Sequence, residues 1–189
     1  MKSILLSSVM TLTAFRNFYF AIGLALMWGS TMAELNKGRQ LFEAGDYKQA
    51  LAELTAADTV ALPEAQILIG RIYYFGNKDV PINYLQAEVW FHKAAAHGLA
   101  EAQLQLGLMY INGQGVVIAK DELQAMAWFR KAAEQGNSWA QHSLGFLYGN
   151  GKGVAKDEAQ AVSWYRKAAE QGNSWAQHNL GYLYAIGQG

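Results

Sequence analysis

Apolar residues recur at helical spacing along most of this chain. In the segment that begins at Ala140, Leu144 and Tyr148 follow on the same side of a helix, which indicates an amphipathic helix, here named helix A. Residues 149–153 contain three glycines, and glycine permits the positive φ angles of a tight reversal. The pattern therefore predicts that helix A ends in a turn that begins at residue 149.

A second helix, helix B, is predicted after this turn. Asp157 with Gln160 three residues later has the pattern of a capping box, in which each side chain satisfies a free backbone N–H at the start of a helix. Gly172 stands where a glycine ends a helix without strain. Ser138 and Ser174 are the predicted N-caps of the helices A that follow. Each unit is thus expected to be an antiparallel helical hairpin.

The hairpin is repeated along the chain. Residues 140–175 match residues 102–139, a more diverged copy covers residues 65–101, and residues 176–189 begin another copy. Successive copies are offset by 38 and then 36 residues, a period typical of stacked supersecondary units that contact mainly their neighbours. The predicted fold class is therefore all-α, an α/α superhelical solenoid of stacked antiparallel helix pairs.

The recurring residues resemble the Sel1-like repeat, a relative of the tetratricopeptide repeat. The motif A-x3-L-G-x2-Y-x2-G-x-G-V, then D-x3-A-x2-W-[FY]-x-K-A-A and a closing Q-G, spans residues 140–172. Residues 34–64 resemble a single tetratricopeptide-like hairpin, with Gly38, Phe42 and a turn at Gly45, and Pro63 marks its boundary with the repeats. The resemblance implies a superhelix whose concave face receives an extended or helical peptide.

By this resemblance, the helix A positions that are not used for packing line the concave groove. Their aromatic and aliphatic content exceeds that of a solvated face, which predicts a site for a protein or peptide partner. The alternative is that a tighter superhelix buries this stripe against neighbouring helices. The set is named the helix A band and comprises Ile67, Arg71, Tyr74, Leu104, Leu108, Ile111, Trp139, His142, Phe146, Trp175, His178 and Tyr182.

Residues 1–33 have the pattern of a secretory signal peptide. Two cations, Lys2 and Arg16, precede the apolar run from Phe18 to Trp28 and a segment of small residues that ends at Ala33. Eleven apolar residues are too few to cross a bilayer, which needs about 20. We expect a periplasmic or secreted protein, cleaved near Ala33 and without a stable membrane span. A retained N-terminal membrane anchor is the alternative.

The composition excludes several kinds of chemistry. The chain has 15 basic and 15 acidic residues, so it lacks the positive charge on which nucleic-acid binding depends. It has no cysteine, and therefore no disulfide, thiolate nucleophile or cysteine-ligated metal. His142 and His178 stand in adjacent units, too far apart to share a metal ion easily. No catalytic residue, cofactor or metal site is predicted.

These observations favour an exported, non-enzymatic adaptor or scaffold that binds a protein partner through the groove. The alternative is a cell-wall glycan-binding protein or hydrolase, similar to a β-lactamase, in which the groove holds a glycan or glycopeptide against Trp139 and Trp175. Paired carboxylates facing the groove would favour the enzyme, but only Glu64 and Glu101 stand at its edge.

The last helix A raises a separate expectation. Leu180, Leu183 and Tyr184 stand on it without a helix B in the sequence to cover them. Either this helix caps the solenoid or the sequence is part of a longer chain, which is the alternative we favour. Uncapped solenoid ends tend to associate, so self-association through this end is also predicted.

Overall fold

The computed structural model describes residues 27–56, 58–115 and 120–187, and within them the fold is all-helical, as predicted. A helix over residues 27–43, α1, and the short helix α2 are followed by a 3₁₀ turn at Thr59–Ala61 and by seven longer helices. The helices after α1 are α2 (Tyr47–Leu54), α3 (Pro63–Phe75), α4 (Tyr84–Ala96), α5 (Ala100–Asn112), α6 (Glu122–Glu134), α7 (Ser138–Asn150), α8 (Glu158–Glu170) and α9 (Ser174–Ala185).

From α3 onward the helices alternate between the two types predicted from the sequence. Helices α3, α5, α7 and α9 are helices A, and α4, α6 and α8 are helices B. Each helix packs against the one before it and the one after it in the chain. The core therefore runs along the stack as a series of clusters shared by neighbouring units, which is the construction of a solenoid.

The glycine that follows leucine in the helix A motif is required by packing. A Cβ atom added at Gly107 would lie 2.5 Å from the Phe129 ring on the following helix B. Gly70 and Gly145 face the rings of Phe91 and Tyr165 in the same way. The absence of a side chain lets each ring lie directly on the backbone of helix A.

The tryptophan and lysine of the helix B motif also form a contact. Lys93 Nζ lies 3.8 Å from the centroid of the Trp90 ring, and the corresponding distances in α6 and α8 are 4.2 and 4.1 Å. In this cation–π geometry the lysine ammonium group lies over the face of the half-buried tryptophan ring. The spacing W-x2-K places both side chains on the same face of the helix.

The helix ends differ from the prediction in three details. Asp157 is the N-cap of α8 and accepts from Gln160 N at 2.9 Å, but its own N–H donates to the Tyr148 carbonyl at 2.9 Å, an acceptor from helix A rather than from the predicted glutamine. The predicted serine N-caps are wrong: Asn137 and the equivalent Asn173 are the N-caps, and Asn137 accepts from Ala140 N at 2.9 Å. Their extended backbone places the amide oxygen within reach of the first turn.

Helix α7 also continues further than predicted. It ends at Asn150, and Gly151, in the left-handed conformation with φ 64°, terminates it. Gly149 is therefore a residue of the last helical turn. This position is important for the site described below.

The predicted signal sequence lies mostly outside the described residues. Its last residues, 27–33, are helical and belong to α1. Among the residues that the structure describes, none of the helices combines the length and the apolar character needed to span a membrane.

Candidate partner-binding face

The structure divides the helix A band into a covered N-terminal part and an open C-terminal part. Ile67 and Leu104 are only 7% and 5% exposed, and each belongs to a core cluster with side chains of the next two helices. Contrary to expectation, these two residues do not line an open groove. The same repeat position is half-buried in His142 and exposed in His178, the last unit. The position is covered wherever another unit follows, so its burial depends on the neighbour.

Four further residues of the band, Arg71, Tyr74, Leu108 and Ile111, are half-buried. The Arg71 guanidinium lies 5.5 Å from the centroid of the Phe42 ring, and Tyr74 Oη donates to Gln114 Oε1 at 2.7 Å. These two polar side chains are already engaged within the protein, and little of them is available to a partner. For the first two repeats, the predicted alternative of a stripe packed against neighbouring helices describes the structure better than an open groove does.

The aromatic residues of the last two helices A are exposed. Trp139 and Phe146 on α7 are 51% and 39% exposed, and Trp175 and Tyr182 on α9 are 60% and 61% exposed. We name these four residues the C-terminal aromatic face. Large aromatic side chains left in water at repeated positions are typical of interaction surfaces.

His142 connects the helices beneath this face. Its ring centroid lies 6.2 Å from that of Trp139 and 5.6 Å from that of Tyr165, and its Nε2 lies 3.2 Å from Asn179 Nδ2 on α9. Burial lowers the pKa of His142, so the neutral ring is favoured and Nε2 accepts from the asparagine amide. The His142 side chain therefore joins α7 to α9 through Asn179 and to α8 through Tyr165.

Tyr165 completes the link from helix B. It is buried, and burial raises the pKa of its hydroxyl while a hydrogen bond to Asn179 opposes this shift. Its ring packs on Gly145, so its position is determined by α7. Together, these contacts connect α7, α8 and α9 beneath the C-terminal aromatic face.

A pocket of about 360 Å³ opens between α7, α8 and α9 beside this face. Phe146 and Tyr182, two residues of the helix A band, are on its wall, and Tyr165 and Asn179 contribute from the neighbouring helices. The other residues around it are Gly149, Asn150, Lys156, Glu158, Leu183 and Ile186, and Lys156 Nζ pairs with Glu158 Oε1 at 2.6 Å. This pocket combines an aromatic wall with several polar groups.

Of the pocket residues on α8 and α9, Tyr182 belongs to the predicted helix A band, whereas Tyr165 and Asn179 were not predicted from the sequence. Asn179 was missed because it lies at a position that varies between units: glutamine in α5 and serine in α7. The alignment of the repeats did contain a signal at Gly149, which stands where the first two units have Tyr74 and Ile111. A side chain that is lost at one repeat position indicates a local opening.

The carboxylates at the groove edge are not arranged as a catalytic pair. Glu101 Oε1 accepts from Gln105 Nε2 at 3.0 Å, and Glu64 is exposed in the first turn of α3. Within the described ranges, histidine, aspartate and glutamate side chains do not gather in groups of three that could hold a metal ion. The side chains that this surface presents include aromatic rings, amides and a few charges.

Comparison with known proteins agrees with the repeat architecture. The family model described as Sel1 repeat matches residues 63–99, 100–137, 140–173 and 176–189, which together make up more than half of the chain. The chain belongs to the Sel1 repeat family. Proteins with Sel1-like repeats generally mediate protein–protein interactions, and the Sel1 fold is typically a non-catalytic scaffold.

Two solved structures of Sel1 type are similar to this chain. The Sel1 repeat protein from Oxalobacter formigenes is 39% identical with a TM-score of 0.75, over 82% of this chain and 61% of that one. A protective antigen present in uropathogenic Escherichia coli strains, which displays an SLR fold, is 40% identical with a TM-score of 0.76, over 84% of this chain and 34% of that one. This chain therefore spans less than two thirds of either protein. A search of the curated proteins found no match.

Proposed function

We propose that this Sel1 repeat chain is an exported, non-enzymatic adaptor or scaffold that binds a protein or peptide partner through the C-terminal aromatic face. The observation that carries the proposal is the exposure of Trp139, Phe146, Trp175 and Tyr182 on successive helices A. Tryptophan and tyrosine contribute most of the binding energy in many protein interfaces. The N-terminal half of the helix A band has little part in this proposal, because its residues are covered or engaged within the protein.

The packing beneath the face supports binding by rigid display. His142, Tyr165 and Asn179 connect three helices, and the buried ring of Tyr165 lies on Gly145. A surface held in this way loses little conformational freedom when a partner binds, so less of the interaction energy is spent on ordering. The same argument favours a partner that adapts to the face, such as an extended or helical peptide.

Affinity capture tests the proposed face. The tagged chain would be expressed in its host and captured from cell-envelope extract beside two double variants, with bound proteins identified by mass spectrometry. Phe146→Ala/Tyr182→Ala removes two rings of the face, whereas Ile82→Ala/Leu123→Ala removes two side chains of comparable exposure elsewhere. Circular dichroism of all three proteins would establish that they are folded.

The expected result is a partner that the wild type and the Ile82→Ala/Leu123→Ala control capture and that Phe146→Ala/Tyr182→Ala loses. Equal capture by all three proteins would refute the face as the binding surface. If no protein is captured and the chain hydrolyses a β-lactam or binds peptidoglycan, the adaptor function is refuted and the glycan-binding or hydrolase alternative is favoured.

Export is tested separately. Cell fractionation would compare the full chain with a variant lacking residues 1–33, which contain the predicted signal. We expect the full chain in the periplasm or medium, shortened near Ala33, and the variant in the cytoplasm. A full-length protein in the membrane fraction would instead support the anchored alternative.

Self-association is proposed through the exposed side of α9. Leu180 and Leu183 are half-buried there, although Leu144 and Leu147 at the same repeat positions are at most 1% exposed. Sedimentation velocity should show a concentration-dependent dimer that Leu180→Gln/Leu183→Gln reduces. A monomer at all concentrations would refute this part of the proposal.

A further inference from the structure

One helix A position changes from a large side chain to none along the stack. The position is Tyr74 in α3, Ile111 in α5 and Gly149 in α7. It lies in the last turns of helix A, on the side where the helix B of the same unit and the helix A of the next unit meet. The internal repeats therefore show what occupies this space when a side chain is present.

In the first unit, the Tyr74 ring fills the space. Its centroid lies 5.4 Å from that of Tyr84 and 6.2 Å from that of Phe91, both on α4. Its hydroxyl donates to Gln114, directly after α5, at 2.7 Å. A phenol ring with one hydrogen bond at its tip thus links α3 to α4 and to the segment that follows α5.

In the third unit the corresponding space is open. A Cβ atom added at Gly149 would meet only the Ala161 Cβ, at 3.5 Å, which is an ordinary contact. The 360 Å³ pocket lies at this point, with Tyr165 at the repeat position of Phe91 and Glu158 at that of Tyr84. Its volume is at the lower end of the range of about 300–1,000 Å³ typical of ligand pockets.

We propose that this pocket, here named the Gly149 pocket, binds a tyrosine side chain of the partner. This inference rests on the proposed adaptor function and names the anchor residue of its partner. The tyrosine ring takes the place that Tyr74 fills in the first unit and contacts the rings of Phe146, Tyr165 and Tyr182.

The polar groups of the pocket favour tyrosine over phenylalanine. Asn150 Nδ2 already donates to the Phe146 carbonyl and Asn179 Nδ2 to His142, so the acceptors that these residues offer a phenol hydroxyl are their amide oxygens and the second carboxylate oxygen of Glu158. Lys156 neutralises Glu158 at 2.6 Å, so the pocket does not select a strongly charged side chain. A tyrosine ring packs against the aromatic wall and its hydroxyl forms a hydrogen bond with the polar groups. A phenylalanine ring packs in the same way but forms no hydrogen bond with them.

The test uses N-acetyl-tyrosinamide as the ligand and the full chain as the receptor. Titration of isotope-labelled protein, followed by NMR, should shift the amide signals of Phe146, Asn179 and Tyr182. N-acetyl-phenylalaninamide should bind more weakly, and N-acetyl-leucinamide should cause no saturable shift. Shifts that are absent, or that are equal for the leucine and tyrosine compounds, would overturn the proposal.

Two substitutions exploit the internal comparison. Gly149→Tyr restores the ring of the first unit and should weaken binding at least about tenfold, whereas Gly181→Tyr, a ring added where nothing lies within 4 Å, should not. Should Gly149→Tyr fail to fold, Tyr74→Gly tests the same idea in reverse, because it should create a second site whose signals lie near Tyr84 and Phe91. Unchanged binding by a folded Gly149→Tyr, or no second site in Tyr74→Gly, would overturn the inference.

Failure of this inference is distinguishable from failure of the adaptor proposal. Capture of a partner that depends on the C-terminal aromatic face, without N-acetyl-tyrosinamide binding, would overturn the Gly149 pocket and leave the adaptor function standing. Saturable binding of the tyrosine compound that Gly149→Tyr abolishes, together with β-lactam hydrolysis or peptidoglycan binding and no captured protein, would support the pocket as a site for a tyrosine ring and overturn the adaptor.

Discussion

Alanine at Gly107 is expected to destabilise the protein because of a single contact. The new Cβ atom would lie 2.5 Å from Cδ1 and Cε1 of Phe129, where ordinary carbon contacts begin near 3.4 Å. Phe129 is only 2% exposed, so its ring cannot turn out of the way. Helices α5 and α6 must therefore separate by a large fraction of an ångström to accept the methyl group.

Gly181→Ala provides the matched control. Gly181 has the same place in the motif, but a Cβ atom there would have nothing within 4 Å. In both variants alanine favours the helix over glycine by about 0.8–1.0 kcal/mol. This term cancels in the comparison, so the difference isolates the cost of overpacking, which is about 1–3 kcal/mol.

Thermal unfolding followed by circular dichroism measures this difference. For a chain of this size, 1 kcal/mol corresponds to about 2–4 °C, so the midpoint of Gly107→Ala should lie roughly 2–12 °C below that of Gly181→Ala. The same probe must be used for both variants, because repeat arrays do not always unfold in one step. Gly145→Ala, whose Cβ would lie 2.7 Å from the Tyr165 ring, should behave like Gly107→Ala.

Equal midpoints for Gly107→Ala and Gly181→Ala would refute the reasoning. The ring of Phe129 would then have room to adjust, and the glycine of the motif would need another explanation. A shift in Gly107→Ala that is also present when Phe129 is replaced by alanine would have the same meaning.

Three further outcomes follow from individual side chains. Glu88 is 8% exposed with no hydrogen bond to its Oε2, and burial raises its pKa. Its contribution to stability is therefore greatest below about pH 4.3 and is lost as the pH rises through the folded-state pKa. Glu88→Met should raise the free energy of unfolding at pH 7 by about 1–3 kcal/mol and by less in acid, and an unchanged free energy of unfolding would refute the argument. Burial lowers the pKa of His142, so the stability of the protein should fall as the pH drops below about 6.5. Melting curves should show that His142→Gln removes this loss of stability, whereas His178→Gln, at the same repeat position on α9 but exposed, does not. Asn137→Ala should cost about 0.5–2 kcal/mol in urea unfolding, and a larger effect of Ser138→Ala would mean that the serine is the cap after all.

The helices, their pairing and the repeat could be predicted from the sequence because their causes are local. The apolar spacing within α7 and the glycine at 172 act over one or two helical turns, and a repeat multiplies the same signal along the chain. Even the error at the N-caps was one residue, from Ser138 to Asn137, since both types of side chain can cap a helix. Local patterns therefore determined the hairpins, and stacking identical hairpins leads to a solenoid.

The open surface of this protein was decided only by the tertiary structure. Ile67 and His178 occupy the same position on helix A, yet one is buried and the other exposed, because burial depends on the unit stacked above and not on the helix itself. The Gly149 pocket likewise requires α7, α8 and α9 to meet around a missing side chain. A helical wheel describes one helix at a time, whereas exposure results from the packing of several helices, and for that reason the sequence alone could name the band but not the part of it that a partner can reach.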